Sequence, residues 1–108
     1  MKKLRVLLIV FLLLLGSILV ALGILYNYYS GSVSDNKQDK EVVISGTGIE
    51  IGRTLKENNL IKNELFYKIY LKLHGVDGFK AGTYLLNESM SLGDILDILQ
   101  EGSSYNPN

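Results

Sequence analysis

A chain of 108 residues has room for one small domain and an appendage. Formal charge is zero, yet Lys2, Lys3 and Arg5 crowd the first five positions, and the other 103 residues carry eight basic and eleven acidic side chains, a net of −3. That balance excludes the basic surface nucleic acid requires, and the lack of cysteine excludes disulfides, thiolate nucleophiles, lipid attachment through cysteine and cysteine-based metal sites.

Residues 6–25 form an uncharged run of Leu, Ile and Val. At ~1.5 Å per helical residue they reach roughly 30 Å, the thickness of a bilayer's hydrocarbon. Residues 1–5 mark the cytoplasmic end by their positive charge, and Tyr26, Tyr28 and Tyr29 suit the opposite headgroup level. The rival is a cleaved signal peptide, whose apolar region is ~7–15 residues and ends in a small-x-small site. Here the run is longer and is followed by Tyr26, Asn27, Tyr28 and Tyr29, a poor cleavage sequence. The expectation is a single-pass cell-membrane anchor with the bulk of the chain outside. Gly16 and Gly23 lie seven apart, not the four of a close-packing helix pair.

Residues 26–40 read as a linker, polar and small from Ser30 onward. Its last eleven residues would reach roughly 17–20 Å on average, lifting the domain off the membrane.

Residues 41–102 read as an α+β module of order β-α-α-β-α. Glu41, Val42, Val43 and Ile44 form a short β-branched strand, broken by Ser45, Gly46, Thr47 and Gly48. A helix follows from Ile49 with Ile51 and Leu55 inward. Gly48 and Gly52 lack the remainder of any phosphate-loop pattern and are read as tight strand-to-helix packing. Asn58 and Asn59 stop that helix, and Leu60 and Ile61 turn into the core. Asn63 caps a second helix running to His74. Leu65, Phe66, Ile69, Tyr70 and Leu73 fall in one arc and are expected in the core. Tyr67 and Leu71 lie outside it, as the edge of a broad buried face or as an exposed pair for a partner. His74, the sole histidine, sits before Gly75 as a helix-end residue. After a turn at Val76, Asp77 and Gly78, residues 79–86 supply the second strand. Ser91 and Asp94 form a capping box, Leu92, Ile95, Leu96 and Leu99 the buried stripe, and Gly102 the stop. Residues 103–108 read as a loose tail.

Several of these positions together resemble a known family. They are the strand ending at Gly46 and Thr47, then Asn59, Leu60, Ile61, Lys62 and Asn63 before an aromatic helix bearing Phe66. Most specific is the run Phe79, Lys80, Ala81, Gly82, Thr83, Tyr84, Leu85, followed by Met90, Ser91 and Leu92. The chain resembles the N-terminal membrane anchor and LysM-like module of the YceG-like endolytic murein transglycosylases. The resemblance implies a setting at peptidoglycan, with glycan strands or cell-wall synthesis proteins as partners beside the lipid bilayer. It also implies a catalytic glutamate in a further domain, which no residue up to Asn108 matches, so the expectation is a non-catalytic module. A truncated form of a longer enzyme, or a small membrane protein that docks a protein partner through Tyr67 and Leu71, are the alternatives.

The residues themselves offer little chemistry. Glycan cleavage requires a carboxylic acid of raised pKa in a cleft. The eleven carboxylates fall on solvent faces, helix first turns, loops or the linker. One histidine and no cysteine cannot build a structural zinc site, and no cofactor is expected. Tyr67, Leu71 and Tyr84 are the candidate glycan or partner contacts, with Tyr105 in the tail as a further aromatic; the competing assignment puts Tyr84 in the core.

Overall fold

A computed structural model describes residues 1–103. It begins with α1, Lys2–Ser30, a helix of 29 residues with no buried side chain. At ~1.5 Å per residue it is roughly 43 Å long, more than the apolar run alone demands. Residues 26–30, expected in the linker, are therefore the helix's last turn. The polar stretch beyond runs along the module, because Ser34 finds partners on Glu88. Its backbone N–H donates to the Glu88 carbonyl at 3.1 Å and its hydroxyl to Glu88 Oε1 at 2.9 Å.

The module is built on a two-stranded antiparallel sheet. Strand β1, Lys40–Ile44, pairs with β2, Gly82–Leu86, so that Val42 faces Tyr84 and Ile44 faces Gly82. Side chains alternate across the ribbon. Val42, Ile44, Tyr84 and Leu86 are buried on one face, whereas Glu41, Val43 and Leu85 meet solvent on the other. Two strands alone are marginal in water, so the buried face must be covered by helices.

Three helices supply that cover. Helix α2, Gly48–Glu57, is capped by Thr47, whose hydroxyl accepts from the Glu50 N–H, and buries Ile51, Gly52 and Leu55. It stops at Asn59, whose φ of 58° lies in the left-handed region; the chain reverses there and Leu60 N–H donates to the Leu55 carbonyl at 2.9 Å. Helix α3, Glu64–Leu73, begins at Asn63, whose side chain accepts from the Phe66 N–H. Helix α4, Leu92–Glu101, has the full capping box between Ser91 and Asp94 and buries Leu92, Ile95, Leu96 and Leu99. The order β1-α2-α3-β2-α4 is the expected α+β class. The second strand is shorter than its expected 79–86, since residues 79–81 are tied instead to α4 through the Lys80 N–H and the Leu99 carbonyl. Of the tail, Ser103 donates its hydroxyl to the Thr83 carbonyl; Tyr105 lies outside the described residues.

The orientation of α3 departs from expectation. Leu65, Ile69 and Leu73, assigned to the core by their spacing, are 66, 45 and 67% exposed, whereas Tyr67 is fully buried. The physical reason lies on α2. Gly52 opens a slot there that an aromatic ring fills, and seating Tyr67 in it turns the Leu65, Ile69 and Leu73 row away from the module's centre.

Candidate functional site

Two loops frame an open groove on the module. One is the β1–α2 connection, Gly46 and Thr47 leading into Gly48 and Ile49; the other is the α3–β2 connection through Gly75, Val76, Asp77 and Gly78. Each wall depends on a glycine in a positive-φ conformation. Gly46 has φ of 93°, and a Cβ there would run into the Glu50 carboxylate; Gly75 has φ of 62°. After Gly75 the chain folds back, so that Val76 N–H donates to the Leu71 carbonyl at 2.9 Å. The floor is apolar, from Ile49, Ile51, Leu71, Val76 and Phe79, while Thr47, Lys68, Lys72 and Asp77 bring polar groups to the rim.

Of Tyr67, Leu71 and Tyr84, only Leu71 lines this groove among the described residues. Tyr67 lies in the core beneath it, its hydroxyl donating to the Gly48 carbonyl at 2.9 Å. It holds the groove wall without presenting a ring to a ligand, and burial pushes its phenol up to about 12. Tyr84 is equally buried, donating to the Lys80 carbonyl at 2.5 Å, and burial raises its pKa as well. Both are therefore withdrawn as exposed stacking rings, because each sits where two packed elements need a large apolar body with one polar tip.

Glu88 is held below the usual carboxylate range by the Lys40 ammonium at 2.6 Å, then by the Ser34 hydroxyl. That is opposite to the raised value a proton donor requires. Lys40 also donates to the Asn58 carbonyl at 2.7 Å, so this ion pair joins β1, the end of α2 and the segment after β2. Among the described residues, no group of three His, Cys, Asp or Glu side chains is placed to hold a metal ion.

A second cluster was not foreseen. The Tyr26 hydroxyl and His74 Nε2 share a hydrogen bond of 2.7 Å, and the His74 ring stacks on Tyr70 with centroids 4.0 Å apart. Tyr26 meets Phe66 edge-on at 5.7 Å, and Lys62 places its ammonium 3.8 Å over the Tyr28 ring while donating to the Tyr28 carbonyl. The last turn of α1 is thus fastened to α3. Phe66, Tyr70 and His74 recur every fourth residue, and three tyrosines lie just past the apolar run; that pairing of aromatic rows was the signal available in sequence.

Comparison with known proteins bears on the family. The YceG-like family model matches residues 42–108. The endolytic murein transglycosylase of Bacillus subtilis (strain 168) is 39% identical over 61 residues, covering 56% of this chain and 17% of that protein. The endolytic murein transglycosylase of Streptococcus pneumoniae serotype 2 (strain D39 / NCTC 7466) is 41% identical over 58 residues, 54% of this chain and 10% of that protein. The chain thus spans less than a fifth of the length of either relative. No solved structure matches it significantly. With the family match running from within β1 through α4 over more than half of the chain, this protein belongs to the YceG-like family.

Proposed function

We propose that this chain is a membrane-anchored, extracytoplasmic member of the YceG-like family whose LysM-like module associates with peptidoglycan and carries no catalytic acid of its own. Helix α1 is long and apolar enough to cross a bilayer, and the charges of Lys2, Lys3 and Arg5 support a cytoplasmic N-terminus. A two-stranded sheet covered by two helices between its strands supports the LysM-like reading. The relatives' description as murein transglycosylases supplies the substrate class. Cleavage itself belongs to whatever catalytic domain accompanies such a module in a longer protein, and this module's part is to hold the glycan or its synthesis machinery nearby.

The observation that carries the binding half is the groove between residues 46–49 and 75–79. Its apolar floor suits the less polar face of a sugar ring or an acetamido methyl, and Thr47 and Asp77 at its rim can meet hydroxyls. The test is co-sedimentation of the full chain, held in detergent micelles, with purified peptidoglycan. Retention that Ile49→Lys abolishes supports the reading; no retention above an unrelated anchored domain rejects it.

The competing reading, docking of a protein partner through Tyr67 and Leu71, loses Tyr67 to the core. A photo-crosslinker at Leu71 in cells separates the two, recovering polypeptide rather than glycan if the partner is a protein.

A further inference from the structure

Helix α3 divides into three sectors. Tyr67 is buried in the module, with Phe66, Tyr70 and Leu71 packed partly against the core. Leu65, Ile69 and Leu73 follow one another every fourth residue and form an exposed apolar row. Lys68 and Lys72 stand three residues after Leu65 and Ile69, on the flank of that row, and both are exposed. An amphipathic helix normally spends its one apolar face on the core. This helix has a second.

The second face is continuous with the membrane helix. Leu65, Phe66, Ile69 and Leu73 line a single apolar groove with Leu22 and Leu25 of α1. Those two leucines belong to the last turn of the 6–25 run, the level at which a spanning helix passes from hydrocarbon into the headgroups. The juxtaposition is held at separate points, by the Tyr26–His74 hydrogen bond of 2.7 Å, the Tyr26–Phe66 ring contact and Lys62 on Tyr28. An apolar row fixed at that height, with Lys62, Lys68 and Lys72 beside it, matches the arrangement of an in-plane interfacial helix, whose apolar side chains enter the acyl boundary and whose cations reach phosphates. A second copy of the chain fits less well. Pairing this face with itself across a two-fold axis would bring Lys62, Lys68 and Lys72 of both copies together against the single carboxylate of α3, Glu64.

Resting on the reading of α1 as a membrane anchor, we propose that α3 is a second membrane contact. It lies in the surface of the leaflet that α1 leaves, with Leu65, Ile69 and Leu73 in the acyl boundary and its lysines on anionic headgroups. The module is then held against the bilayer at a fixed height, and the groove around Leu71 is displayed beside the lipid surface.

The cysteine-free chain permits a direct test with one environment-sensitive fluorophore at a time. Ile69→Cys, Arg53→Cys on α2 and Leu14→Cys at mid-span are labelled in the full chain, reconstituted in phosphatidylcholine vesicles containing phosphatidylglycerol. The expected result is that the probe at position 69 is quenched by a nitroxide carried high on a lipid chain. It should also be shielded several-fold from aqueous iodide relative to position 53, with the shielding reduced by Lys68→Glu plus Lys72→Glu. If position 14 is quenched by deep nitroxides while position 69 is as open to iodide as position 53, the anchor stands and this proposal falls. Shielding at 69 without quenching by any nitroxide lipid means a protein covers the face and also overturns it. Iodide access at position 14 removes the anchor, and the proposal with it.

Discussion

The ring of Tyr67 lies directly over Gly52. A Cβ added to that glycine would stand 2.6 and 2.7 Å from two ring carbons, while the same tyrosine's hydroxyl donates to the Gly48 carbonyl one helical turn earlier. One side chain of α3 thus spans both glycines of α2. The pair Gly48 and Gly52, expected from sequence to serve strand-to-helix packing, instead forms a helix–helix slot, because the ring that fills it comes from α3.

Gly52→Ala should therefore be disruptive although alanine is the better helix former. The ring is enclosed and cannot swing aside, so overpacking costs about 1–3 kcal/mol and outweighs the ~1 kcal/mol of helix propensity gained. A fall in the unfolding midpoint by thermal or urea denaturation checks this. An unchanged or raised midpoint would mean the slot is looser than described.

Alkaline pH should weaken the module through the same tyrosine. Its pKa is pushed from 10.0 to about 12 by burial, so the folded state favours the protonated phenol. That contribution is complete below pH 10 and is lost as pH rises toward 12. Tyr67→Phe should flatten this part of the stability profile, while costing about 0.5–1.5 kcal/mol at neutral pH for the hydrogen bond removed. Phenolate absorbance should show Tyr67, Tyr70 and Tyr84 ionising later than the solvent-exposed tyrosines, with part of that late phase missing in Tyr67→Phe.

Acid should act on a different link. Glu88 has its pKa lowered from 4.5 by Lys40, so its ion pair contributes fully above that pH and is lost as pH falls through the lower folded value. In Glu88→Gln, stability should fall less between pH 4.5 and more acidic conditions than in the parent chain. The glutamine keeps an amide oxygen for the Ser34 hydroxyl, and the backbone carbonyl at 88 still accepts from Ser34 N–H, so amide exchange at Ser34 and Asn36 should change little at neutral pH.

Removing His74 should loosen the coupling of α1 to the module without unfolding it. His74→Ala deletes the hydrogen bond to Tyr26 and the stack on Tyr70, an effect of roughly 1–2 kcal/mol on that junction. Spin labels on α1 and α3 should then report a broadened distance distribution, whereas hydrogen exchange in α2 and α4 stays protected. Equal loss of protection in α4 would show that His74 serves the core instead.

Much of the architecture was legible without coordinates because the signals were local. The capping box at Ser91 and Asp94, the left-handed stop at Asn59, the Asn63 cap and the alternating strand residues each act within a few positions of sequence. The uncharged 6–25 run likewise declares its length and apolarity by itself. The face that α3 presents was not legible. Periodicity marks Leu65, Ile69 and Leu73 as one apolar row but cannot say what the row faces. That was decided by the tertiary fit of Tyr67 into the space left by Gly52, contributed by another helix, and by the aromatic contacts that bring α1 alongside. The sequence alone determined the order of helices and strands and the membrane-length run, since those follow from near neighbours, but not that α1 continues through residue 30 or that β2 starts at Gly82. Only the tertiary structure decided that Tyr67 and Tyr84 are core, that Leu71 lines a groove, and that the leucine row joins the end of the apolar helix. These depend on the shapes that distant segments offer one another.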